Sequence, residues 1–379
     1  MTAATDTATA ITTSDQPFTV SGFDAIVFAV GNAWQSAHFF ASAFGMSVVA
    51  YRGPQTGSPD ECSYVLRSNA VRFVVTGPTR AGTELGEHIH EHGDGVVDVG
   101  LEVSDVGAAY EHAIAQGAHG LVEPHQVGDG DGTVMLATIA AYGRVRDTFV
   151  DRTRYRGLHL PGYLPRSITV AGSGAGYFHT VDHCVAAVEA GRMDEWVDFY
   201  RRVLGFGTMA EFVDGEISTK YSALRSRVVA DPRRQVKIPV VEPAKSERDS
   251  QVDEFLRFYG SPGVQHIALA TNDILGAING MRASGVEFLP TPPAYYADPG
   301  LRDRMGPITT PIAVLEEHGA LVDRDDHGHL LQILTRPVQD RPTGFFELIE
   351  RHGSQGFGVG NFAALFQAIE HEQDLRGNL

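Results

Sequence analysis

Two cysteines in 379 residues, Cys62 and Cys184, cannot make a disulfide framework, and at most one bridge could join them. Such sparse usage fits a reducing compartment. No apolar run approaches the roughly 18 residues that a membrane-spanning helix needs. The first fifteen residues, Met1 to Asp15, hold no Lys, no Arg and no apolar stretch. That excludes a signal or transit peptide and leaves a disordered tail over residues 1–17. Basic residues are outnumbered: 30 Lys and Arg against 47 Asp and Glu give a net charge of −17 with no basic patch. The balance argues against nucleic acid and against an anionic membrane surface as partners, and the expected location is the cytoplasm. It also leaves no general means of holding an anionic small molecule, so an acid would have to be held locally, most simply by a metal.

What is present is a module that occurs twice. Phe23-Asp24-Ala25 precedes a helix-like run ending Phe44-Gly45-Met46, and Val181-Asp182-His183 precedes one ending Leu204-Gly205-Phe206. Val96 to Leu101 followed by Ser104-Asp105-Val106 matches Val264 to Leu269 followed by Asn272-Asp273-Ile274. Thr148 to Arg152 matches Glu347 to Arg351. At the three matched positions the first half offers Ala25, Asp98 and Thr148. The second offers His183, His266 and Glu347. Two histidines and one carboxylate form the ligand set of a mononuclear non-haem Fe(II) site with open coordination positions.

The periodicities give each module an order. A strand over Ala25–Val30 leads to a helix through Trp34, Ala37, Phe40 and Ala41, closed by Gly45. Strands follow at Ser47–Tyr51, Tyr64–Leu66 and Val71–Val75. The order repeats from Val97, from Asp182 and from Gln265. This is an α+β chain of four βαβββ units paired into two domains, residues 18–151 and 178–379, joined by a Pro- and Gly-containing linker over 152–177. Pairing is needed because one unit leaves a sheet face open. Asn361–Glu372 reads as an amphipathic C-terminal helix with Phe362, Leu365, Phe366 and Ile369 on one face, able to cover the mouth of a site.

Other motifs read as scaffold. His88-Ile89-His90-Glu91-His92 has no matching ligands in its paired unit and reads as a solvated turn or edge. Gly128–Gly132 lacks the glutamate that closes a calcium loop and reads as a hairpin turn. Asp323–Gly328 reads as the turn before the strand Leu330–Leu334. Gly172–Gly176 follows no strand and opens no helix, so it is not a nucleotide-binding loop. Glu347 differs from all of these, because an unpaired carboxylate within Phe345-Phe346-Glu347-Leu348-Ile349 would be costly without a cation. Gln251, Gln265 and Gln332 lie on or beside the elements that carry the ligands. Strand alternation sends Gln265 to the face opposite His266.

Several segments together resemble the 4-hydroxyphenylpyruvate dioxygenase family of the vicinal oxygen chelate superfamily: Val181-Asp182-His183, Gly263–Ala268, Leu321–Asp325, Leu330–Ile333, Asp340–Thr343, Phe345–Arg351, Gly356-Phe357-Gly358 and Gly360-Asn361-Phe362. The resemblance implies two open β-barrel domains, the first metal-free and the second holding Fe(II) through His183, His266 and Glu347. It implies a pocket that includes Ser226, Gln251, Gln265, Gln332, Phe345, Asn361, Phe362 and Phe366. It further implies a 2-oxo acid and O2 as small-molecule partners, and a homo-oligomer, dimer or tetramer. The expected reaction is oxidative decarboxylation and hydroxylation of 4-hydroxyphenylpyruvate to homogentisate.

Three positions depart from the family pattern. Val241 stands where an Asn precedes Glu-Pro, as an aliphatic residue does in the sister hydroxymandelate synthases. Leu334 stands where a Phe stacks on the substrate ring, and Val359 replaces a Lys. Pro239 keeps the dioxygenase pattern. These departures leave benzylic hydroxylation of the synthase type, or action on another aryl or aliphatic 2-oxo acid, as the alternative reactions. An extradiol cleavage of catechols and a non-enzymatic binding module are the readings from other classes.

Overall fold

A computed structural model describes residues 16–212 and 223–378; the proposed tail segment Met1–Asp15 lies outside the described residues. The first unit runs β1 (Val20–Ala29), α1 (Ala33–Ala43), β2 (Ser47–Arg52), β3 (Glu61–Ser68) and β4 (Val71–Pro78). The Asn32 side chain caps α1 by accepting from Gln35 N at 3.0 Å. Gly45, at φ +64, ends it in the left-handed conformation that glycine adopts without strain. Helix α2 (Glu84–His92) leads to the second unit: β5 (Gly95–Val103), α3 (Val106–Ala115), β6 (Gly120–Asp129), β7 (Gly132–Ala140) and β8 (Arg146–Asp151). Residues 152–179 then cross the molecule and add β9 (Leu164–Pro165) beside β2.

The third unit is β10 (Thr180–Ala187), α4 (Met193–Leu204), β11 (Gly207–Phe212), β12 (Leu224–Ala230) and β13 (Lys237–Pro243). Helix α5 (Gln251–Tyr259) connects it to β14 (Gly263–Ala270) and α6 (Ile274–Ala283). An insertion with three short helices follows: α7 (Pro293–Tyr296), α8 (Pro299–Met305) and α9 (Ile312–His318). The fourth unit closes with β15 (Leu321–Asp325), β16 (Gly328–Leu334) and β17 (Phe345–His352), and α10 (Phe362–Leu375) completes the chain.

The strand order is β6-β7-β8-β5-β1-β4-β3-β2-β9 in one sheet and β11-β12-β13-β10-β14-β17-β16-β15 in the other. In every unit the first strand pairs parallel with the fourth. In each sheet the two first strands meet antiparallel at the centre. Each sheet is thus two βαβββ units joined edge to edge and curled into an open half-barrel. The helix-covered faces meet between the sheets, where α1 touches α6 and α3 touches α4. One continuous apolar core fills that layer; Phe346 of β17 packs there on Phe28, Phe40, Phe44 and Phe73 of the first half. The inner face of the second sheet has its own cluster, in which Val185, Leu224, Val228 and Val241 meet Phe366 of α10.

Two local expectations are corrected. The His88–His92 tract is the last turn of α2 rather than a solvated turn. Thr83 caps that helix, Glu84 and Glu87 occupy its positive first turn, and His90 and His92 its negative last turn. His92 is buried, with Nδ1 2.6 Å from the carbonyl of Tyr259 in the other half. Asp323–Gly328 is only partly a turn, because β15 extends to Asp325 and Asp326-His327 alone reverse the chain. Gly128–Gly132 is the β6–β7 hairpin, as the sequence suggests. Among the described residues no helix is long and apolar enough to cross a membrane.

Candidate metal centre

His183, His266 and Glu347 come from three adjacent central strands of the second sheet, β10, β14 and β17. The register opposes His183 to Ala268 and Ala268 to Glu347, while His266 opposes Phe345. The three side chains therefore converge on the inner face. Glu347 Oε2 lies 3.2 Å from His183 Nε2 and 3.9 Å from His266 Nε2. One ligating atom from each falls within 4.8 Å of the others, and all three residues are buried or nearly so.

Each histidine has its far nitrogen occupied. His183 Nδ1 is 2.8 Å from Asp182 Oδ1, and His266 Nδ1 is 3.2 Å from Gln265 Oε1. An acceptor at Nδ1 fixes the Nδ1–H tautomer and leaves the Nε2 lone pair free for a ligand. Two lone pairs and a carboxylate facing one another in a buried space repel unless a cation sits among them. The ion pairs of Glu347 among the described residues are with these two histidines alone. The donor set therefore fits a divalent metal. Burial opposes charge on His183, but the hydrogen bonds to Asp182 and Glu347 outweigh it and hold its pKa above the ordinary value. Burial, and then His183, push His266 well below the ordinary value.

Gln265 does not face away from His266 as simple alternation requires. The β10–β14 ladder passes from Val185/His266 to Ala186/Val264, so Gln265 is the extra residue of a β-bulge. A bulge breaks the two-residue alternation and lets neighbouring side chains share a face. The same ladder passes from Val181/Leu269 to His183/Ala268 and leaves Asp182 as the extra residue. Both ligand histidines therefore carry their hydrogen-bond partner beside them on the chain.

A cavity of about 110 Å³ opens beside the three ligands. Ser226, Val241, Gln251, Gln265, Gln332, Leu334, Phe345, Phe362 and Phe366 all line it, with the helix α10 residues forming one wall. Asn361 is placed elsewhere: fully buried at the root of α10, its Oδ1 accepts from Tyr295 O–H at 2.8 Å. Tyr295 O–H also reaches the carbonyl of Val322 at 2.6 Å, so this tyrosine of the insertion pins the helix root. Among the described residues the buried amide oxygens of Gln251 and Gln332 have no protein partner, which leaves two acceptors for a ligand donor on the cavity wall. Gly358, at φ +73, passes so close to Gln332 that a Cβ there would overlap the amide. Phe345 stacks on His266 with ring centroids 4.6 Å apart, and Phe357 meets His183 edge-on at 5.2 Å. Neither Phe357 nor Asp182 is distinguishable as a site residue by spacing alone, although both lie within motifs quoted above.

The corresponding place in the first half is filled by its own charges. Asp98 Oδ2 accepts from Arg146 Nε and from Thr148 Oγ1, both at 2.7 Å. Register makes Arg146 the counterpart of Phe345, because Asp98 opposes Arg146 as His266 opposes Phe345.

Comparison with known proteins agrees with this architecture. The model of the glyoxalase/bleomycin resistance protein/dioxygenase superfamily matches residues 22–149 and 180–333. A 4-hydroxyphenylpyruvate dioxygenase from Dictyostelium discoideum is 41% identical over 372 residues, covering 95% of this chain and all of that protein. One from Caenorhabditis elegans is 40% identical over 376 residues, covering 95% and 94%. Among solved structures, a mutant 4-hydroxymandelate synthase from Streptomyces coelicolor superposes with a TM-score of 0.83 at 29% identity, over 94% of this chain and 99% of that one. With the fold, the matched residues and near full-length identity all in agreement, the chain belongs to the glyoxalase/bleomycin resistance protein/dioxygenase superfamily and, within it, to the 4-hydroxyphenylpyruvate dioxygenase family.

Proposed function

We propose that this protein is an Fe(II)-dependent dioxygenase that decarboxylates and hydroxylates 4-hydroxyphenylpyruvate to give homogentisate. The observation that carries the reading is the convergence of His183 Nε2, His266 Nε2 and a Glu347 carboxylate that, among the described residues, has no lysine or arginine paired to it. The ligand set matches the two-histidine, one-carboxylate face of mononuclear iron oxygenases. Bound there, Fe(II) would supply the redox chemistry: chelation of the 2-oxo acid, activation of O2 and oxidative loss of CO2. That chelation accounts for how a chain of net charge −17 holds an anionic substrate without a basic cluster.

The protein's own residues orient and exclude. Asp182 and Gln265 keep both Nε2 atoms aimed inward. The unpartnered amide oxygens of Gln251 and Gln332 can accept from a phenolic hydroxyl. Phe345, Phe357, Phe362 and Phe366 keep water from the reacting centre. The test is anaerobic loading with Fe(II), followed by O2 uptake, CO2 release and product identification with 4-hydroxyphenylpyruvate. Coupled uptake with homogentisate as product supports the reading, and an iron-loaded protein that leaves the substrate untouched rejects it.

One observation favours a second outcome. Val241 places an apolar side chain on the cavity wall where the family pattern has an amide. A hydroxymandelate product in the same assay would assign benzylic hydroxylation. We further propose a cytoplasmic homo-oligomer. Free Cys62 and Cys184 support the compartment. Exposed Ile114, Leu121 and Val122 at the outer edge of the first sheet support self-association. Light scattering would test the assembly.

A further inference from the structure

Both halves contain the same buried clamp, one carboxylate held between two cations, although only one half has metal ligands. In the second half Arg351 grips Asp182 with two parallel hydrogen bonds, Nε to Oδ2 at 2.7 Å and a terminal nitrogen to Oδ1 at 2.9 Å. Lys237 Nζ lies 3.0 Å from Oδ1. In the first half Arg152 grips Asp24 in the same two-pronged way, and Arg72 lies 2.6 Å from Oδ1. The counterparts occupy equivalent strands: Arg72 on β4 and Lys237 on β13, Arg152 just past β8 and Arg351 on β17. Asp24 is followed by Ala25, so its clamp orients no ligand. It ties β1 to β4 and to the chain just past β8, where Arg152 also holds the carbonyl of His159. Asp182 is followed by His183, and its Oδ1 carries that ring as a further partner at 2.8 Å.

We infer that Lys237 and Arg351 are positioning residues for the metal centre, fixing His183 through Asp182. This rests on the metal site proposed above. A carboxylate bound at one oxygen can swing and carry the imidazole with it. With both oxygens of Asp182 engaged by cations from β13 and β17, its plane is set and His183 Nε2 stays 3.2 Å from Glu347. Arg351 is itself anchored by the carbonyl of Gly356 at 2.7 Å. Two effects of Lys237 have opposite signs. As a nearby cation it repels a divalent metal, so removing it would tighten metal binding if electrostatics ruled. As part of the clamp it holds a ligand in place, so removing it would weaken metal binding. Positioning partners of metal-bound histidines are worth about 10–100-fold in affinity, so we expect weakening to win.

The test is anaerobic titration of the metal-free protein with Co(II), following the d–d spectrum and the affinity, with the thermal midpoint of the metal-free state in parallel. Four proteins are compared: wild type, Lys237→Met, Lys237→Arg and Arg72→Met. Lys237→Met should bind Co(II) about 10–100-fold more weakly with an altered d–d spectrum. Lys237→Arg, which installs the residue the first half uses, should restore both. Arg72→Met should lower the thermal midpoint and leave Co(II) affinity unchanged. Wild-type or tighter binding by Lys237→Met overturns the inference, as does an equal loss in Arg72→Met. Should Lys237→Met fail to fold, Asp182→Asn is read by the same two measurements: weakened Co(II) binding sustains the inference, and unchanged binding overturns it. A wild-type protein that takes up no Co(II) would instead sink the metal site itself.

Discussion

The two halves share strand order, ladder pattern and buried clamp, and they differ most at one point on the inner face. In the first, Asp98 is neutralised by Arg146 and Thr148 from the neighbouring strand. In the second, the position of Arg146 is taken by Phe345, which brings no charge, and the position of Thr148 by Glu347, whose carboxylate among the described residues faces the two histidines alone. A site is thus made by removing a cation as much as by adding ligands. The first half pairs its carboxylate within the protein; the second presents a donor set that fits a cation. The outer face reverses the contrast. There Phe346 packs in the aromatic core, while its register counterpart Asp147 is a fully buried acid near Tyr142 and Tyr200.

The contrast is broken most severely by Glu347→Ala. That change should remove most bound iron and all turnover, whereas Asp98→Ala should leave iron stoichiometry at the wild-type value. Iron analysis and O2 uptake on both variants decide it, and iron loss in Asp98→Ala would show that the halves are not so divided.

Helix α10 follows the last strand of the second half and walls the cavity beside its three candidate ligands. Ending the chain before Asn361 should leave iron binding largely intact but let CO2 release run ahead of substrate hydroxylation. The ratio of O2 consumed to product formed measures this, and a ratio of one in the truncated protein would refute the lid.

Asp147 sharpens the comparison through pH. Burial, then Asp98, raise its carboxyl to about 8 in the folded protein, against about 3.9 in an unfolded chain. The folded state therefore holds a proton that the unfolded state has released between these values. Stability falls as pH rises across that window and is flat above it. Asp147→Asn should flatten the fall and raise stability near pH 8.5 by a few kcal/mol, on the order expected for such a shift. Urea unfolding at pH 5 and pH 8.5 checks it; equal slopes with pH in both proteins would count against a buried neutral acid.

The smallest effect expected is in substrate choice. Restoring an amide and an aromatic face with Val241→Asn and Leu334→Phe adds one hydrogen-bond partner, worth about 1 kcal/mol, and one stacking contact of about 0.5–1.5 kcal/mol. The hydrogen bond serves the hydroxylated ring alone. The kcat/KM ratio of 4-hydroxyphenylpyruvate to phenylpyruvate should therefore rise roughly five-fold. An unmoved ratio would show that these two positions do not read the ring hydroxyl.

The chain by itself determined the four units, their pairing, the three residues that converge as candidate ligands and the amphipathic last helix. Each of these is a local pattern: a periodicity, a closing glycine, or a residue at a fixed place in a repeat. The tertiary structure alone decided the rest. Gln265 reaches His266 because a bulge displaces it, and a bulge is a property of two strands rather than one. Lys237 and Arg351 meet Asp182 only because the first strand of the third unit pairs with β13 and lies one strand from β17; Arg351 is 169 residues away along the chain. The His88–His92 tract looked solvated because its partner, the Tyr259 carbonyl, is 167 residues distant. Tyr295 holds the root of α10 across 66 residues from an insertion with no counterpart in the other three units. Short-range spacing records which residues carry chemistry, but only the folded register decides which neighbours hold them, because those neighbours are set by strand pairing over distances that periodicity does not span.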